Sequence, residues 1–244
     1  MNDLTIPALV ADEHHYPAIL ELFRGAPAGR IIDIPAGHGA FANELLKIGC
    51  RDIHCLDLYG DQFMLRGDSR VQFRQHDARN PLPYPDGHFD YAFSIEGLEH
   101  FDSPFTFVAE LCRVVKPGGR LYLTTPNIMS VDARLKFLLA GYFPRFRPLM
   151  RDPEWLVTES AIHAHISPIY FWQLNHFLLR SGTAISRVST NTRVYKPQWV
   201  KRVVESLVAR IIRNNVRKRG FPDQGVTSEA MLFGDCIIVE AIKK

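Results

Sequence analysis

The sequence predicts an α/β fold: a mainly parallel sheet of seven strands with helices on both faces. Three observations predict it. From about residue 30 to residue 125, short apolar runs alternate with apolar residues at helical spacing, the pattern of β-α-β units with right-handed crossovers. The first run (Ile31, Ile32, Ile34) passes through a small-residue turn, Pro35, Ala36, Gly37 and Gly39, into Phe41, Leu45 and Leu46 at helical spacing. Finally, acids stand at or just beyond the ends of the first three strands: Asp33, Asp57 and Asp77.

The elements follow in order. Tyr16 to Arg24 reads as an amphipathic helix. Strand one covers about 30–34 and its helix about 40–48. Asp52 to Leu56 gives strand two, closed by Asp57, and Val71 to Gln75 gives strand three. The Pro-rich stretch PLPYPDGHFD leads into strand four, Tyr91 to Ser94. Phe105 to Val114 is helical, Lys116 to Gly119 (KPGG) reads as a turn, and Arg120 to Thr125 is strand five. Ser130 to Leu139 reads as helix. Gly141 to Glu159, rich in Pro, Arg and aromatics, reads as a loop or lid. Pro168 to Arg180 reads as a helix with Pro in its first turn and Gly182 past its end. Ala184 to Ser189 and Cys236 to Ile242 suit strands six and seven, with an insert at about 191–232 between them. The whole, 1–244, reads as a single domain with a ligand-binding core at about 28–128, a substrate lid region at about 129–182 and the insert.

Composition narrows the class. Apolar residues make up 46% and charged residues 23% of 244 residues, as in an ordinary globular protein. The net charge of +3 is too small to argue for nucleic acid by itself. Four scattered cysteines without a CxxC argue against disulfide or zinc frameworks. The acid-bearing N-terminus lacks signal-peptide character, and no apolar run reaches the roughly 18 residues of a membrane span. A cytoplasmic location is expected, with peripheral contact at the inner face of a membrane as a further option.

In open α/β sheets, ligands bind outside the carboxyl ends of the strands, where the strand order reverses. A dinucleotide site wants G-x-G-x-x-G there. Here Pro35 replaces the first glycine, and His38-Gly39-Ala40-Phe41 breaks the later spacing. Asp57 stands about 20 residues past the turn, where an acid can grip a ribose diol. The turn itself suits an adenosine ligand without a pyrophosphate, set against free N–H groups of the turn and a helix N-terminus.

Five segments in order, Asp33-x-x-x-Gly37-x-Gly39, Asp57, Asp77-Ala78, FDYAFSIEGLEHF and LCRVVKPGGRLYLTTPN, resemble class I S-adenosylmethionine-dependent methyltransferases. The resemblance is to the small-molecule, type 11-like branch, whose strand four ends in a signature matched by Leu98-Glu99-His100, and it extends over about 28–128. It implies a Rossmann-like fold, a seven-stranded mainly parallel sheet with an antiparallel last strand and here a helical insert before that strand, with S-adenosylmethionine as cofactor and S-adenosylhomocysteine as product. It also implies a cofactor site made of Asp33, Pro35, Ala36, Gly37, Gly39, Asp57, Leu58, Asp77, Ala78, Ser94 and Ile95. Within that set Gly37 and Gly39 let main chain approach the methionyl part, and Asp33 reaches its ammonium. Asp57 holds the ribose, Asp77 and the Ala78 N–H read the adenine, and Ser94 and Ile95 offer main-chain groups at the methionyl end. Pro35 departs from the glycine common at its position and removes a donor.

Methyl transfer to a hydroxyl benefits from a general base near pH 7, which favours imidazole. His100, just past strand four, and His165, before the helix that begins near Pro168, are the candidate catalytic residues, with His163 beside them. The His163-x-His165 spacing lacks an evident third ligand, so no metal is expected. Glu96 and Glu99 suit substrate positioning or a helix surface equally. Neither an Asp-Pro-Pro-Tyr motif nor a Pro-Cys pair follows strand four, unlike amino-directed and cytosine-C5 nucleic-acid methyltransferases.

Within the insert, Val200, Val203, Val204, Leu207, Val208, Ile211 and Ile212 keep helical spacing. Lys201, Arg202, Arg210 and Arg213 take the other side, and Arg217, Lys218 and Arg219 lie beyond. Three readings of 196–220 stay open: packing on the sheet or a second subunit, a membrane surface with Trp199 at its interface, or a clamp on phosphates. Nucleic acid is the weakest, because aromatic interleaving is poor. The expected function is methyl transfer to a small-molecule or lipid-linked glycan-precursor acceptor, at oxygen. The alternatives are an RNA methyltransferase and a cofactor-binding module without turnover. The sequence carries no signal of oligomeric state.

Overall fold

The computed structural model describes residues 15–23, 28–146, 165–191, 199–220 and 225–244. Seven strands form one sheet: β1 (Arg30–Asp33), β2 (Asp52–Asp57), β3 (Val71–Gln75), β4 (Phe89–Ser94), β5 (Val115–Pro126), β6 (Thr183–Thr190) and β7 (Cys236–Lys243). Their order is β3-β2-β1-β4-β5-β7-β6. β1 to β5 pair in parallel, and β7 runs antiparallel to both β5 and β6. The order reverses between β1 and β4, which puts the expected crevice at their carboxyl ends.

Alternation along each strand divides the core in two. Ile31, Ile53, Phe93, Tyr122 and Ile238 point to one face, where α1 (His15–Phe23) and α2 (Ala40–Lys47) cover them with Ile19, Phe23, Phe41 and Leu45. Ile32, Leu56, Ala92, Leu121 and Val239 point to the other, under Phe107 and Leu111 of α3 (Pro104–Val114) and Leu174 and Leu178 of α5 (Phe171–Arg180). The inner strands β1, β2, β4, β5 and β7 are mostly buried on both faces and rich in apolar residues, whereas the edge strands β3 and β6 keep exposed polar positions. A third, smaller cluster joins α4 (Val131–Ala140), α6 (Trp199–Lys218) and α7 (Glu229–Phe233) through Val131, Ala209 and Leu232.

Some boundaries differ from the sequence expectation. KPGG is not a turn between elements but a bulge within β5. Pairing passes from Phe89↔Val115 to Tyr91↔Arg120, so the intervening residues are looped out. Gly118 adopts φ +79 there. α5 starts at Phe171 and not at Pro168, because the Ile166 and Ser167 amides are held by the Glu99 carbonyl at 2.9 and 3.0 Å, tying that segment down before the helix begins. A 3₁₀ turn, Leu98–His100, and the short α7, capped by Ser228 Oγ on the Met231 amide, were not foreseen. Arg24, residues 147–164 with His163 and most of the expected lid, and residues 192–198 lie outside the described residues. All four cysteines are free and buried. Among the described residues, no helix is long and apolar enough to cross a membrane.

Candidate active site

The parallel register brings the ends of β1, β2 and β4 to one edge of the sheet. Asp33, the last residue of β1, is 1% exposed, and its Oδ2 has no hydrogen-bond partner. Burial, reinforced by the charge of Asp57, raises its carboxyl well above the usual range. Asp57, ending β2, accepts from the Gly37 amide at 2.7 Å and from the Tyr59 amide at 3.0 Å. A carboxylate offers about four acceptor sites, so Asp57 keeps capacity for further donors.

The turn after β1 meets the expectation of free amides only in part. Three of its amides are already engaged: Ala36 donates to the Leu56 carbonyl at 2.9 Å, Gly37 to Asp57, and Gly39 to the Ala36 carbonyl at 3.0 Å. What the turn offers instead is room. Gly37 has φ +53, and a Cβ added there would meet no atom within 4 Å. Gly39, at φ +90, is needed for a different reason: a Cβ would come within 2.9 Å of the Phe63 ring. Pro35 packs against Gly97 of the turn after β4, where a Cβ would lie 2.5 Å from the proline ring. Gly97 is therefore a residue that sequence spacing did not single out, and Pro35 serves to join the two turns.

Leu58 is half-buried, and its carbonyl accepts from Gln75 Nε2 at 2.9 Å. Asp77 is gripped by Arg79, whose Nη2 and Nε lie 2.7–3.0 Å from its oxygens and whose amide adds a further bond. The Arg79 guanidinium holds the Asp77 carboxyl below its usual range. An adenine amino group must compete with that partner. Ala78 packs at the margin of the core. Ser94 is fully buried with its Oγ unpartnered, and Ile95 is buried beside Phe93 and Phe41.

Beyond β4 the structure gathers groups that are distant in sequence. Glu96, at φ +48, bonds Thr124 Oγ1 through its amide at 2.8 Å. Its carboxylate accepts from Cys236 Sγ at 3.1 Å and Arg145 Nη1 at 3.3 Å, and lies 3.7 Å from His15 Nε2. Arg145 also pairs with Asp235. Glu99 is 0% exposed, and burial raises its carboxyl, with the Glu96 charge adding to the effect. Neither glutamate lies on a helix surface, which corrects that option.

The two carbonyl bonds from Glu99 to residues 166 and 167 dock this segment onto the 3₁₀ turn and bring His165 to His100, ring centroids 4.8 Å apart. Burial, the neighbouring His100 and Arg145 push His165 down to about 4. It is neutral at pH 7. Ligand atoms of Glu99, His100 and His165 lie within 4.8 Å of one another, a grouping different from the His163-x-His165 pair of the sequence, whose His163 lies outside the described residues. A cavity of about 120 Å³ opens further along the same edge, between Asn127, Ser130, Lys136, Arg145, Glu205 and Asp235.

The residues present fit an adenosyl sulfonium amino acid. The unpartnered Asp33 Oδ2 suits an ammonium, the open face of Gly37 admits a ligand, and Asp57 has acceptor sites to spare for a diol. The comparisons agree. A family model described as "Methyltransferase domain" matches residues 32–123. The ubiquinone biosynthesis O-methyltransferase of Xanthomonas oryzae pv. oryzae is 26% identical over 125 residues, 49% of this chain and 52% of that protein. The 27-O-demethylrifamycin SV methyltransferase of Amycolatopsis mediterranei is 33% identical over 116 residues, 43% and 42% of the two chains. The chain thus spans about half the length of the curated relatives it matches. In overall fold it is similar to an S-adenosylmethionine-dependent methyltransferase from Mesorhizobium loti, with TM-score 0.58, 16% identity, and 94% and 98% of the chains covered. It is similar also to a Burkholderia thailandensis 1,6-didemethyltoxoflavin N1-methyltransferase solved with S-adenosylhomocysteine, with TM-score 0.54, 15% identity, and 94% and 77% covered. With its strand-end acids and its sheet order, the chain carries over residues 32–123 a segment that matches a methyltransferase domain, on a fold similar to that of S-adenosylmethionine-dependent methyltransferases.

Proposed function

We propose that this protein transfers a methyl group from S-adenosylmethionine to a hydroxyl oxygen of a small-molecule acceptor, lipid-linked glycan precursors included. The observation that carries this reading is the His100–His165 pair, set on the turn that leaves β4, the strand beside Asp33. Two relatives with matching core segments are named as methyltransferases, one of them an O-methyltransferase. When bound, the cofactor supplies an electrophilic methyl group on sulfur.

The chain's own groups do the rest. Asp33 and Asp57 hold the two polar ends of the cofactor's aminoacyl and ribose parts, and the Pro35–Gly97 contact fixes the walls between them. Of the two imidazoles His100 is the proton acceptor. Burial first, and His100 and Arg145 beside it, hold His165 down to about 4, too weak a base for the task, which leaves His100 to take the proton. His165 packs edge-on against that ring and orients it.

The test is kinetic. His100→Ala should lower kcat by roughly 10²–10⁴, the usual worth of a general base, with S-adenosylhomocysteine affinity intact. Product formation with a panel of phenolic and sugar-hydroxyl acceptors, followed by the appearance of S-adenosylhomocysteine, reads it out. Full activity in the variant removes His100 from the chemistry.

A further inference from the structure

The apolar side of α6 is wider than its packing needs. Glu205, Val208, Ala209 and Ile212 face the body of the protein, where Ala209 meets Val131 and Leu232. A second row, Val203, Val204, Leu207 and Ile211, turns outward; Val203 is 61% and Leu207 59% exposed. These residues follow i, i+4, i+8 and i+1, and so form one stripe of the helix surface. Beside it Arg210, Arg213 and Arg217 form a row at i, i+3, i+7, all exposed.

The neighbouring helix repeats the feature. Val131 and Leu135 of α4 pack toward α6 and α7, but Leu138 and Leu139 on its last turns are 78% and 84% exposed, with Phe137 and Tyr142 next to them. Lys136 and Glu205 line one cavity, which sets the early turns of α6 beside the late turns of α4. Exposed leucines at this level on two adjacent helices are an apolar surface that no element among the described residues covers.

Charge identifies the occupant. Residues 196–220 hold eight Lys and Arg and a single acid, Glu205, and that acid is buried. A second copy of this surface would oppose cation to cation. RNA would meet along α6 an aliphatic stripe where it needs stacking rings, the exposed rings Phe137 and Tyr142 lying at the end of α4, away from the arginine row. A bilayer with anionic headgroups satisfies both halves, taking the aliphatic stripe into its interface and Arg210 and Arg217 onto its phosphates, while Arg213 pairs with Glu229 at 2.6 Å.

We propose that α6 and the end of α4 form a docking surface for an anionic lipid bilayer. The inference does not depend on the acceptor or on turnover.

The experiment is sedimentation of the full chain with phosphatidylcholine vesicles, with and without phosphatidylglycerol, over a range of salt. The protein should co-sediment only when phosphatidylglycerol is present and should be released by salt. Leu207→Glu/Ile211→Glu and Leu138→Glu/Leu139→Glu should each reduce the bound fraction by about tenfold or more, since each places two acids against anionic headgroups. These positions are exposed, so thermal unfolding and S-adenosylhomocysteine affinity should match wild type, which separates lost docking from lost folding. Protein that stays in the supernatant with both vesicle types overturns the proposal. So does equal binding to neutral vesicles, or a dimer in light scattering that the α6 variant abolishes while vesicle binding is absent. Salt-sensitive RNA binding without vesicle binding overturns it as well.

Discussion

Asp33 and Asp57 terminate adjacent parallel strands and carry the same sign, and Asp33 is almost wholly buried. Burial first, then Asp57, raises the Asp33 carboxyl above its ordinary value. For an acid with a raised folded-state pKa, the unfolded chain ionises first. Ligand-free stability is then lost as pH rises from the ordinary carboxylate range through the raised value. A cationic ligand reverses the balance, because it favours the ionised carboxylate. S-adenosylhomocysteine affinity should therefore increase with pH across that same window, with release of a proton on binding. Asp33→Asn should flatten both dependences: the ligand-free variant should melt higher than wild type at alkaline pH, and its ligand affinity should be weaker and level. Calorimetry and thermal melts from mildly acidic to mildly alkaline pH check this, and an unchanged slope in the variant removes Asp33 from the ligand's cationic end.

At the scale of elements, the turn after β1 is held by its neighbours more than by itself. The Asp57 carboxylate fixes the Gly37 amide, and the Leu56 carbonyl fixes that of Ala36. β2 therefore positions the β1–α2 turn. Asp57→Ala should weaken S-adenosylhomocysteine binding by about 2–3 kcal/mol, the range for a lost charge-assisted hydrogen bond. It should also lower ligand-free stability, by about 1–3 kcal/mol, because two backbone donors lose their acceptor. Calorimetry and urea unfolding separate the effects. Loss of stability alone would leave Asp57 as a brace for the turn with no hold on the ribose. The strand-end acids were legible in the sequence because a strand and its following residue are local. The fate of the turn amides was not, since their acceptors lie on the next strand.

At the scale of the molecule, an aromatic seam ties the N-terminal helix to the sheet. Phe93 and Tyr122 stack at 4.9 Å, and Phe23 of α1 meets them edge-on at 5.2 and 5.8 Å. Phe23→Ala should cost about 3–5 kcal/mol. Because His15 of the same helix lies beside Glu96 of the β4 turn, ligand affinity should fall along with stability. Urea unfolding and calorimetry on the variant read both, and a cost below about 1 kcal/mol would show α1 to be a loose appendage.

The sequence by itself determined the sheet, the order of acids along its edge and the amphipathic character of α6. These depend on periodicity and on residues adjacent to a strand end, which the chain specifies locally. Only the tertiary structure decided that His165 meets His100 with Glu99 beneath them, that Glu96 joins four distant side chains, and which half of α6's apolar surface faces outward. The physical reason is the same in each case. A helix or strand declares its apolar positions, but which of them are covered, and which buried polar groups end as neighbours, depends on elements a hundred residues away and on the space those elements leave.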